Sequence, residues 1–150
     1  MPAIEEAIAA GINVNVTLLF SVSNYIEVAQ RYLRGLERRL EAGQDISHVA
    51  SVASFFLSRI DSVVDNILES NIRTGRMRGG FETAQLNRRL LGKAAIASAK
   101  LAYAYFKEIF ESERFARLRE HGAHVQRPLW ASTSTKNPNY PDTYYVDTLI

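Results

Sequence analysis

The chain has 150 residues, 47% of them hydrophobic and 23% charged, with a formal net charge of +2. That length suits a single domain burying about two thirds of its surface, and the absence of cysteine excludes disulfide and thiolate chemistry. The start Met1-Pro2-Ala3-Ile4-Glu5-Glu6 lacks a signal peptide's basic and apolar segments, and no apolar run is long enough to span a bilayer, so a cytoplasmic protein with no membrane partner is expected.

Ile4 to Ala10 reads as a short helix ended by Gly11. Along Asn13-Val14-Asn15-Val16-Thr17-Leu18-Leu19-Phe20-Ser21, strand geometry puts Val14, Val16, Leu18 and Phe20 on one face. Asn13, Asn15, Thr17 and Leu19 fall on the other. A polar row opposite an apolar one suits a strand lining a reactive barrel interior, because buried polar groups need partners. An edge strand with its polar side in water gives the same pattern, and both readings stand.

Asn24 with Glu27 reads as a capping box, and Ile26, Ala29, Leu33, Leu36 and Leu40 as the stripe of a helix stopping near Gly43. Val49 to Leu57 reads as a second, more buried strand, and Ile60, Val63, Val64, Ile67 and Leu68 as another helical stripe. Asn71 to Gly80 reads as a surface loop. The arginines Arg73, Arg76, Arg78, Arg88 and Arg89 have no interleaved aromatic residues, so a solvated surface is expected there and no nucleic-acid partner. Thr83 to Phe110 is a long alanine-rich helical stretch broken near Gly92, and Ser112 caps a short helix through Phe115 and Leu118 that closes at Gly122. Val125 to Ala131 gives a third strand, followed by a polar loop from Ser132 to Asp142. Strands alternating with helices argue for a parallel sheet, either small and open or part of a larger barrel.

Other candidate groups have ordinary readings. Asp61 and Asp65, one helical turn apart, read as a helix-start charge and a solvated face. His48, His121 and His124 lack metal-ligand spacing, so no metal is expected. The hydroxyls of Ser132, Thr133, Ser134 and Thr135 have no His/Asp partner, and Trp130 reads as a packing residue. Lys93, Lys100 and Lys107 recur every seven residues as an exposed stripe.

Three segments carry a family resemblance. Gly11-Ile12-Asn13-Val14-Asn15-Val16-Thr17-Leu18-Leu19-Phe20-Ser21 resembles the fifth barrel strand of the transaldolases. Ser54-Phe55-Phe56-Leu57-Ser58-Arg59-Ile60-Asp61 resembles their sixth strand and its exit. Arg127-Pro128-Leu129-Trp130-Ala131-Ser132-Thr133-Ser134-Thr135-Lys136-Asn137-Pro138 resembles their seventh strand and following loop. The resemblance runs through essentially the whole chain. It implies an α/β fold, a partial (β/α)₈ barrel of three parallel strands with flanking helices, read as one domain over residues 1–150.

The resemblance also implies a function: transfer of a dihydroxyacetone unit between sugar phosphates, from sedoheptulose 7-phosphate to glyceraldehyde 3-phosphate, in the pentose phosphate pathway. The family uses a Schiff-base lysine and no cofactor. Its amine becomes nucleophilic when burial lowers its pKa. By resemblance, Asn15 holds the hydroxyls or imine of the bound unit, and Thr17 positions the proton-shuttling water. Ser54 and Arg59 belong to the phosphate site, Phe56 shapes the pocket wall, and Lys136 stands where some members carry an arginine. A lysine there acts as a point charge without the bidentate fork.

The resemblance places the Schiff-base lysine on the strand before the helix that begins near Pro2, and no lysine precedes Lys93. The chain is therefore expected to be a segment that is catalytic within a complete barrel, with sugar phosphates as its small-molecule partners. Two alternatives stay open: a non-catalytic sugar-phosphate or anion binder, and a barrel remnant that self-associates or is complemented by the rest of the barrel through its open sheet edges.

Overall fold

Three short runs form the strands, Val14–Leu19 and Ser51–Phe56 rich in β-branched or aromatic residues, and the helix-period stripes between them form the crossovers. The computed structural model describes residues 1–78 and 80–149, with side chains described outside 75–78. In chain order the elements are α1 (Pro2–Ala9), β1 (Val14–Leu19), α2 (Val22–Glu41), β2 (Ser51–Phe56) and α3 (Ser58–Arg78). They continue with α4 (Phe81–Leu90), α5 (Ala94–Phe110), α6 (Glu113–Glu120), β3 (Arg127–Ala131) and α7 (Tyr144–Leu149). The sheet order is β1-β2-β3, and β1 pairs with β2 in parallel, Val14 opposite Ser51 and Val16 opposite Ala53. Parallel neighbours need long crossovers, which the helices supply. The expected α/β class, with three parallel strands and flanking helices, is observed and is consistent with part of a (β/α)₈ barrel.

Two compact units divide the chain, Met1–Phe55 with Leu101–Trp130 and Phe56–Lys100 with Ala131–Ile150. The first has a continuous core that includes Ile8, Tyr32, Leu33, Leu36, Ile46, Val49, Phe110 and Phe115. Each large apolar side chain buried there contributes about 1.5–3 kcal/mol. The α2 stripe read from sequence faces this core, with Ala29, Leu33 and Leu36 fully covered. Helix α1 approaches α2 closely at Gly35, where a Cβ would lie 2.6 Å from the Ile8 Cβ. In the second unit Leu57, Ala84, Ala95, Ala99 and Tyr145 are buried together with Asp61 and Asp65.

The structure corrects several expectations. Ser21, rather than Asn24, caps α2: its hydroxyl accepts the Asn24 N–H at 3.2 Å, and Asn24 and Glu27 lie inside the helix. The strict alternation of β1 ends at a bulge between Val16 and Leu19, where Leu18 adopts a left-handed φ of 61°. The extra residue reverses the parity, so Leu19 is buried while Leu18 and Phe20 are exposed. The loop expected over Asn71–Gly80 is instead the last part of α3 as far as Arg78. Within that stretch the Thr74 hydroxyl donates back to the Ser70 carbonyl at 3.0 Å. Gly79 and the side chains of Arg76 and Arg78 lie outside the described residues. On α3 the apolar stripe is not the covered face, since Val63 and Ile67 are 63% and 57% exposed. Helix α7 follows the polar loop, where the sequence pattern predicts no helix; its start is braced by Thr143, whose hydroxyl donates to Asp147 at 2.7 Å.

Candidate functional site

The sequence-derived residues fall in both compact units. Asn15, Thr17 and Ser54 belong to the first, and Phe56, Arg59 and Lys136 to the second.

In the first unit, β1 and β2 present Asn15 and Ser54 side by side. The Ser54 hydroxyl donates to Asn15 Oδ1 at 2.9 Å. Ser54 is buried and Asn15 is exposed. Because the carboxamide oxygen is engaged by Ser54, the amide end that Asn15 offers to a ligand is its –NH₂, a donor suited to hydroxyl or carbonyl oxygens. Thr17 shares the exposed side of β1 and immediately precedes the left-handed Leu18. A non-glycine residue in that conformation costs on the order of 1–3 kcal/mol and persists where surrounding contacts hold it. The other β1–β2 face is closed by a chain of polar groups, Gln126 donating to Ser51 Oγ at 2.8 Å and Ser51 donating to the Val14 carbonyl at 2.7 Å. Trp130 packs edge-on against Phe55 with ring centroids 6.1 Å apart, as its reading as a packing residue expects.

In the second unit, the Leu57 N–H donates to the Ala131 carbonyl at 3.0 Å and the Ser58 N–H to the Ser132 carbonyl at 3.1 Å. The Ser58 and Ser132 hydroxyls meet at 2.8 Å. Ser132, the first residue after β3, has a left-handed φ of 56°. Both non-glycine residues with positive φ among the described residues thus stand at the C-terminal ends of strands, the end where barrel enzymes gather their chemistry. Arg59 occupies the first turn of α3, exposed, with its guanidinium 5.2 Å from the centroid of the Phe56 ring. Such stacking holds a planar cation in place while leaving its N–H edge usable.

Lys136 is exposed on the loop after β3 and lines a cleft of about 290 Å³ with Ser58, Asp61, Asp65, Tyr140 and Tyr145. Lys93, Lys100 and Lys107 are exposed, as their stripe spacing expects.

The two aspartates of this cleft overturn their solvated reading. Asp61 and Asp65 are 2% and 6% exposed, and every carboxylate oxygen has a partner. Asp61 accepts from the Ala95 N–H and the Tyr145 hydroxyl, each at 2.8 Å. Asp65 accepts from the Gly92 N–H at 2.9 Å and the Tyr140 hydroxyl at 2.7 Å. Burial pushes the Asp61 carboxyl above its ordinary range against the lowering effect of these donors. The Tyr140 and Tyr145 hydroxyls are also pushed up, first by burial and then by the carboxylate each one faces. Sequence spacing gave the i,i+4 relation of the aspartates but not their partners, which lie 27 to 84 residues away.

The description "Transaldolase/Fructose-6-phosphate aldolase" matches residues 1–150. Transaldolase 2 of Nostoc punctiforme is 54% identical over 150 residues, which are 100% of this chain and 39% of the relative. The transaldolase of Trichodesmium erythraeum is 51% identical over 100% of this chain and 39% of its own length. That of Mycolicibacterium smegmatis is 51% identical over 100% of this chain and 38% of its own. The chain therefore spans about 39% of the length of such relatives.

Proposed function

The chain belongs to the transaldolase/fructose-6-phosphate aldolase family, and from that membership we propose that it supplies the sugar-phosphate-holding strand ends of a transaldolase. In this reading residues 1–150 are the latter-middle portion of one barrel domain. The observation that carries it is the alignment of the whole chain with proteins named transaldolase at 51–54% identity. The Ser54–Asn15 bond supports it, because with its oxygen accepting from Ser54 the Asn15 amide has its –NH₂ to donate to a ligand oxygen.

The roles are those that the family resemblance implies for these residues. Asn15 orients the dihydroxyacetone unit, Thr17 holds the water that carries a proton, and Ser54 fixes Asn15 and contributes to the phosphate site. Phe56 forms a wall and steadies Arg59. Arg59 and Lys136 neutralise the phosphate, the first through its planar fork and the second as a point charge. The nucleophilic amine is not assigned to any lysine of this chain, since Lys93, Lys100, Lys107 and Lys136 all lie off the strands.

Calorimetry with fructose 6-phosphate tests the binding. The native chain gives heat, and Arg59→Ala weakens the affinity by about 10- to 100-fold, the range for a charge-assisted bond. No heat with the native chain overturns the proposal. Borohydride treatment of the chain with the same ketose phosphate leaves no covalent adduct. An adduct on one of its lysines would show that the amine lies within these residues after all. The exposed, off-strand lysines favour ligand binding without covalent catalysis as the behaviour of the isolated chain.

A further inference from the structure

We infer that the buried aspartates of α3 clasp the loop after β3 by its far end, making Asp61, Asp65, Tyr140 and Tyr145 positioning residues for Lys136. This rests on the reading of Lys136 as a phosphate ligand.

The loop leaves β3 at Ser132, a left-handed residue held at its carbonyl by the Ser58 N–H at 3.1 Å and at its hydroxyl by the Ser58 hydroxyl at 2.8 Å. It is caught again eight residues on, where the Tyr140 hydroxyl donates to Asp65 at 2.7 Å. Tyr145, at the start of α7, donates to Asp61 at 2.8 Å. Neither carboxylate can swing away, because its other oxygen accepts from the backbone at the start of α5, Gly92 for Asp65 and Ala95 for Asp61. The Tyr140 ring also stands against Gly92, where a Cβ would come within 2.9 Å of the tyrosine Cζ. The Tyr144 hydroxyl donates to the Gly92 carbonyl at 2.9 Å, and its ring stacks on Tyr140 with centroids 5.1 Å apart.

Between the two anchors the chain turns at Asn137, which accepts the Asn139 N–H through its side chain and the Tyr140 N–H through its carbonyl. Lys136 is the residue just before that turn.

Buried carboxylates are poor devices for stability alone, since apolar residues of similar volume pack such a position equally well. What they add is direction, because each holds one hydroxyl at one point. Direction is what Lys136 needs. A flexible ammonium lacks the fork that orients an arginine on phosphate, so the placement of the backbone beneath it must supply the geometry.

A double-mutant cycle on the full chain tests the clasp, with fructose 6-phosphate as the calorimetric probe. Tyr140→Phe removes one hydroxyl and keeps the ring; it weakens binding about five- to tenfold, and Tyr145→Phe acts in the same direction. In a Lys136→Ala background, Tyr140→Phe has no further effect, because the cation it positions is gone. Losses that add in full would assign the tyrosine to folding alone, and undiminished binding in both tyrosine variants would remove the clasp while leaving the phosphate reading intact. A native chain that gives no heat removes both readings. Hydrogen exchange at residues 134–137 decides the mechanical part without ligand: exchange speeds up in Tyr140→Phe while α3 stays protected, and unchanged exchange in the loop overturns the clasp.

Discussion

Asp61 shows how burial sets the sign of a residue's contribution to stability. Its carboxyl is held above the ordinary value, chiefly by burial. The folded chain therefore keeps the proton more tightly than the unfolded one. The stabilisation is fully present below the unfolded value of 3.8 and is lost as pH rises through the raised folded value. Asp45 behaves in the opposite way. Hydrogen bonds from His48 and Ser47 push it down to about 2, so its contribution is present above the unfolded value and is lost as pH falls toward 2. Subtracting the unfolding free energy of Asp61→Asn from that of the native chain isolates the first titration. The difference shrinks as pH rises from just below 4 and then levels off; a difference independent of pH would refute the assignment. The sequence carried the spacing of Asp61 and Asp65 but no sign of their covering, because their donors come from Gly92, Ala95, Tyr140 and Tyr145. By contrast the strand motifs alone single out Asn15 and Ser54, and the two are hydrogen-bonded to each other.

At the scale of elements, local signals were read well where one residue decides and less well where two compete. Ser112 was expected to cap α6 and does, accepting the Phe115 N–H at 3.3 Å. For α2 the serine and the asparagine three residues later are both good caps, but Ser21 has the extended backbone a cap requires while Asn24 already lies inside the helix. Ser21→Ala accordingly costs about 1 kcal/mol of stability, the usual loss for a cap, whereas Asn24→Ala, mid-turn and exposed, changes it by less than about 0.5 kcal/mol. Urea unfolding of the two variants checks the assignment, and a loss in Asn24→Ala with none in Ser21→Ala would return the cap to Asn24. The bulge in β1 had no such signal. Nothing in the pattern of Val16, Thr17 and Leu18 announces a positive φ, and glycine, which would, is absent there. Gly35 marks a contact the sequence did not expose either. A methyl group there would meet Ile8 at 2.6 Å and the Glu5 carbonyl at 2.9 Å. Gly35→Ala is thus expected to destabilise by about 1–3 kcal/mol, despite alanine's better helix propensity. A stabilised variant in thermal unfolding would mean that α1 yields without cost.

For the whole molecule, the family and the three-strand parallel sheet were legible because each strand carries a motif and each crossover a helical stripe. The assortment of tertiary donors around α3 was not, since periodicity reports a helix without naming the side that neighbours cover. In the order β1-β2-β3 the outer strands each have a single hydrogen-bonded neighbour. An outer strand presents unpaired N–H and C=O groups to any second copy, and β1 carries no charged residue between Val14 and Leu19 to discourage pairing. The isolated chain is therefore expected to self-associate with rising concentration in sedimentation velocity. Thr17→Lys places a charge on the exposed side of β1 and shifts the population toward monomer, with folding stability changed by less than about 0.5 kcal/mol, as for most exposed substitutions. A native chain that sediments as one species at every concentration would show that this strand is protected by its bulge, whose left-handed Leu18 already bends the edge away from a flat partner.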